Sequence, residues 1–107
     1  MEQSMFTIDG FSIIRSDYGD DADDFSIFVH CELSRSGDAG GEAFSLTVVS
    51  PKRLSVSLQH EALLGRGLII AKEYDEGLLR GAIEPLLVNS ETWDEVTDEI
   101  EKFFDWI

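Results

Sequence analysis

Cysteine, proline and positive charge are scarce in this sequence, and each scarcity removes a class of protein. Cys31 is the single cysteine of 107 residues, so an internal disulfide is excluded and a reducing compartment is expected. The two prolines, Pro51 and Pro85, are isolated, and no repeat, linker or low-complexity stretch marks a second domain, so residues 1–107 are read as one domain. Eight basic residues stand against 22 acidic ones, a formal charge of -14, which repels phosphate backbones and anionic membrane surfaces and attracts cationic ones. Neither direct nucleic-acid binding nor membrane binding is expected. No apolar run approaches the roughly 20 residues that cross a bilayer. The segment Met1-Glu2-Gln3-Ser4 also lacks the basic-then-apolar pattern of a secretory signal, so a cytoplasmic location is expected. His30 and His60, the only histidines, fall in none of the spacings that ligate zinc, and neither a metal nor a cofactor is expected.

What is present is enough apolar material, 43% of residues, for one packed core without metals or disulfides. From Met5 to Arg15 the composition is β-like, and the alternation changes phase around Asp9-Gly10, which predicts a bulge or bend. Ser16 to Asp24 reads as a polar, acidic loop. Phe25 to Leu33 alternates strictly, with Phe25, Ile27, Val29, Cys31 and Leu33 on one face. A Gly-rich turn, Ser36 to Gly41, leads to a second alternating run carrying Phe44, Leu46 and Val48, so the pair predicts an antiparallel hairpin.

Pro51 to His60 suits a short helix with proline in its first turn, ended by Gly65 and Gly67. A brief strand, Leu68 to Ala71, precedes Asp75, a predicted helix cap, and Leu78, Leu79, Ala82, Ile83, Leu86 and Leu87 recur at helical spacing around Pro85. Thr92-Trp93-Asp94-Glu95 offers a capping box, after which Trp93, Val96, Ile100, Phe103, Phe104 and Ile107 form one apolar stripe of a C-terminal amphipathic helix. Strands early and helices late predict an α+β domain: a mainly antiparallel four-stranded sheet with two to three helices packed on one face.

No residue set predicts catalysis. Cys31 lacks a base, because the adjacent His30 points to the other face of a strand, and a small core hydrophobe is the simpler reading of the thiol. An EF-hand loop started at Asp20 would place Ala22 third, Phe25 where glycine is required and Cys31 twelfth, so the calcium reading fails. Gly37 to Gly41 carries no lysine or serine where a phosphate cradle needs them. Carboxylates abound, yet none is singled out in the apolar setting that general acid catalysis demands.

The most specific feature is the spacing of Glu91, Asp94, Asp98, Glu101 and Asp105, three or four apart, which aligns them as an anionic stripe opposite the apolar one. A solubilising surface would explain such a stripe alone. A second anionic block, Asp17 to Asp24, and a total charge beyond what solubility requires favour a surface that meets a basic partner by electrostatic steering. The residues expected to bind that partner are Asp20, Asp21, Asp23 and Asp24 with Asp94, Asp98 and Glu101.

Three stretches carry a family resemblance: Phe44 to Pro51 with Leu54 after it, Leu68 to Asp75, and the Trp93 helix with Phe103-Phe104-Asp105-Trp106. In their order and spacing they resemble immunity protein family eight of the bacterial polymorphic-toxin systems. Arg53 departs from that family's pattern, which favours an aromatic residue just before the leucine that follows the proline. The resemblance implies a non-enzymatic immunity protein of the contact-dependent growth inhibition type. Such a protein would bind the C-terminal domain of a cognate toxin, a basic protein with nucleases among the candidates, by stoichiometric occlusion, as a monomer or weak homodimer. Two other readings stand beside it: an acidic adaptor or nucleic-acid mimic without a toxin partner, and an enzyme using a carboxylate pair, which would need a pocket holding two acids of separated pKa.

Overall fold

The computed structural model describes residues 5–58 and 67–107; Met1 to Ser4, His60 and the expected helix-ending Gly65 lie outside the described residues. The β-like start becomes strand β1, Phe6–Tyr18, the alternating runs become β2, Phe25–Arg35, and β3, Gly41–Val49, and the chain then forms helix α1, Pro51–Leu58. After it come β4, Leu68–Ile70, helix α2, Glu76–Leu87, helix α3, Trp93–Glu101, and a short β5, Asp105–Trp106.

The β-rich half forms a meander in the order β1-β2-β3, with both pairings antiparallel. Strict alternation in β2 and β3 buries Phe25, Ile27, Val29, Cys31, Leu33, Phe44, Leu46 and Val48 on one face, where Leu79, Ile83 and Leu87 of α2 and Val96 and Ile100 of α3 cover them. The phase change expected at Asp9-Gly10 is a register shift between Ile8 and Gly10, and a second shift falls between Ile13 and Arg15. Gly37 and Gly40 adopt positive φ (88° and 79°) in the turn between β2 and β3, a conformation in which a Cβ would be strained.

The fold is the expected α+β one with a mainly antiparallel sheet, and three details differ. The sheet gains a fifth strand, β5, and β4 lies parallel to β3 on the far side of the segment that contains α1. Ser16, Asp17 and Tyr18 belong to β1 and not to the acidic loop, since they pair with Ile27, Ser26 and Phe25. The C-terminal helix stops at Glu101: the N–H groups of Phe103 and Phe104 both donate to the Ile100 carbonyl, closing the last turn, and Asp105–Trp106 extends along β3 opposite Ser45 and Phe44. Phe104 is buried, but Phe103 and Ile107 are 48% and 63% exposed and do not continue the apolar stripe. Asp105 likewise leaves the helical anionic row for β5.

Candidate functional site

Helix α3 is set by local chemistry at its start. Thr92 Oγ1 accepts the Glu95 N–H, and the Glu95 carboxylate accepts the N–H groups of Thr92 and Glu91, completing the capping box that the sequence predicts. Long-range contacts then tie this end to the β2–β3 turn. Trp93 Nε1 donates to Asp38 at 2.8 Å, and Arg35 donates to the Glu91 carbonyl at 2.8 Å and pairs with Asp38 at 3.3 Å. Trp93 also packs edge-on against Phe6, with ring centroids 4.9 Å apart. With Val96 and Ile100 buried, Asp94, Asp98 and Glu101 are left on the exposed side of the helix, while Glu99 pairs with Lys102 at 2.8 Å.

Beside this helix start lies a concavity of about 590 Å³ whose lining includes Asp9, Glu32, Asp38 and Glu42 together with Ser34 and Ile107. Register gathers these acids: Gly10 pairs with Glu32, Glu32 with Ala43 and Leu33 with Glu42, so residues far apart in the chain meet at one end of the three-strand meander. Among the described residues, Arg35 is the only cation paired with any of the four, through Asp38; Asp9 accepts a hydrogen bond from Ser34 at 2.8 Å. A smaller pocket of about 230 Å³ adjoins at Glu42, lined also by Trp93, Thr97 and Trp106. The Trp106 Nε1–H is buried without an acceptor among the described residues.

The other expected acids lie elsewhere. Asp20, Asp21, Asp23 and Asp24 sit in the turn joining β1 to β2, at the Tyr18–Phe25 end of that hairpin, whereas α3 begins beside Phe6 and Arg35 at its other end. Ten residue steps of β2 separate those ends, roughly 33 Å. The turn is partly neutralised by α1. Lys52 reaches Asp21 and Asp23, and Arg53 bonds Asp24 at 2.6 Å and Asp17 at 2.7 Å. The hydrogen bond from Lys52 holds the Asp21 carboxyl below its usual range, and the same bond raises Lys52; hydrogen bonds to Asp24 and Asp17 raise Arg53. Asp20 has no ion pair among the described residues. The structure thus does not bring the seven expected residues into one cluster: it sets Asp94, Asp98 and Glu101 on the helix whose first residue, Trp93, bonds Asp38 of the concavity, and places the turn acids at the far end.

Asp9, Glu32, Asp38 and Glu42 escaped sequence reasoning because each is an isolated acid in its own stretch. Only the hairpin register, counted outward from the turn, could have aligned them. Cys31 is fully buried, and burial pushes its thiol up to about 12, while His30 on the opposite face packs against Phe28 with centroids 5.5 Å apart. Among the described residues no group of three or more His, Cys, Asp or Glu side chains is placed to hold a metal ion, and no helix is long and apolar enough to cross a membrane.

Compared with known protein families, residues 8–107 match the one described as Immunity protein 8. No curated protein and no solved structure matches the chain.

Proposed function

The chain belongs to the immunity protein 8 family, and from that premise we propose that it neutralises a cognate polymorphic toxin by binding the toxin's C-terminal domain through the acidic end of the molecule. The observation that supports this reading is the concavity lined by Asp9, Glu32, Asp38 and Glu42, which Trp93 at the start of the helix carrying Asp94, Asp98 and Glu101 joins through its bond to Asp38; among the described residues Arg35 is the one cation paired with any of those four lining acids. Such a surface attracts a basic protein at long range and can occupy a cleft in which a nuclease would hold phosphates. Inhibition is then stoichiometric and needs no chemistry from the immunity protein, which acts in the cytoplasm of the producing cell as a monomer or weak homodimer. Asp20, Asp21, Asp23 and Asp24 take a secondary part. With Asp17 they number five carboxylates against Lys52 and Arg53, which leaves three negative charges to add to the attracting field.

Co-expression with the product of the neighbouring toxin gene tests the proposal, with co-purification and rescue of growth as the expected results. In purified components, the double variant Asp94→Lys/Asp98→Lys is expected to slow association by more than about tenfold at low salt. Association at the unaltered rate would rule out the acidic end as the contact surface.

A further inference from the structure

The pocket between α3 and β5 has a composition that the acidic surface around it does not share. Trp93 and Thr97, one helical turn apart on α3, form one wall and Trp106 of β5 the other, with Glu42 of β3 at the edge. Glu42 lies two residues before Phe44 and so on the same face of β3. Phe44 is sealed by Phe104 and Trp106 at centroid distances of 5.2 and 5.8 Å, but Glu42 is exposed and has no ion pair among the described residues. Indole rings carry negative quadrupole potential on their faces, and the Glu42 carboxylate adds a full charge of the same sign to a pocket that two indoles line. An anion is repelled from this site and an apolar group would bury Glu42 uncompensated, whereas a cation satisfies both walls. At about 230 Å³ the pocket is smaller than those that take small-molecule ligands and suits a single side chain.

We propose that this pocket receives one arginine side chain from the toxin, stacked on the indoles and paired with Glu42; the inference rests on the immunity reading above. Arginine is favoured over lysine because a planar guanidinium stacks on an aromatic face while its N–H fork meets a carboxylate. Pockets of this kind, a buried aromatic-and-arginine contact ringed by charged residues, are where binding energy concentrates.

The chain's two tryptophans both line the pocket, so fluorotryptophan labelling of the full chain gives two fluorine resonances that report on it directly. Both are expected to shift on titration with the cognate toxin domain. Glu42→Gln removes the charge from an exposed side chain without an ion pair among the described residues and leaves folding intact; it is expected to weaken binding about ten- to thirtyfold, mostly through faster dissociation. Trp106→Leu, which keeps an apolar side chain on Phe44, is expected to do the same. Unmoved resonances, or a Glu42→Gln protein that dissociates as slowly as the parent, would overturn the pocket assignment. Slowed association of Asp94→Lys/Asp98→Lys in the same experiment would leave the acidic-end reading standing. A parent protein that fails to bind the toxin at all removes both.

Discussion

Ser50 shows how one buried polar side chain holds several elements at once. Its Oγ accepts the N–H of Phe25 at the start of β2 and that of Arg53 in the first turn of α1, while its own N–H donates to the Phe25 carbonyl. Ser50→Ala leaves the buried Phe25 N–H without an acceptor and uncaps α1, a cost of about 2 kcal/mol. The expected result is a thermal unfolding midpoint lower by roughly 5 °C or more, measured by circular dichroism. Cys31 makes a prediction of the opposite kind. Burial raises its thiol to about 12, so the folded protein should resist thiol reagents at pH 8 and react fully once unfolded. Because the folded form keeps its proton where the unfolded thiol, near 9, has lost it, stability should decline as pH rises above 9, by about 1.4 kcal/mol for each further unit up to 12. Legibility at this scale followed distance along the chain. Asp75 accepting from Gly77 and Leu78, and Thr92 from Glu95, were readable because both caps act within one turn. The bond from Trp93 to Asp38 spans 55 residues and left no mark in either local pattern.

Among the elements, α1 has the function of a clamp. Arg53, where the family pattern favours an aromatic residue, ties β1 through Asp17 and the following turn through Asp24, and both it and Asp24 are largely shielded from solvent. Arg53→Ala is expected to cost about 1 kcal/mol, the upper end for a surface pair, and to speed amide exchange in Gly19 to Asp24. Lys52→Ala should leave stability nearly unchanged, since its pairs with Asp21 and Asp23 are open to water. The hairpin of β2 and β3 was legible because strict alternation fits only a half-buried strand. The end of α3 was not. Phe104 and Trp106 fit an alternating strand as well as Phe103 and Phe104 fit a helical stripe, and no glycine or proline after Glu101 marks a stop. Pairing with the free edge of β3, beside β4, settled the choice in favour of β5.

For the whole molecule the charge of -14 sets the sign of its long-range field. Under the proposed binding of a basic toxin, association should slow by at least tenfold between about 20 mM and 0.5 M salt while dissociation changes far less, a contrast that stopped-flow measurements would register. Near-equal sensitivity of both rates would argue against steering. Composition alone was sufficient to establish the sign of that field, and periodicity was sufficient to establish an α+β chain with an apolar side to its strands and helices, because both depend on residue type and near neighbours. Which carboxylates are gathered and which are neutralised was decided by the tertiary structure. Strand register brought Asp9, Glu32, Asp38 and Glu42 to one end, and the crossover through α1 delivered Lys52 and Arg53 to the acids at the other. Both outcomes depend on contacts between residues distant in the chain, and local spacing carries no information about those.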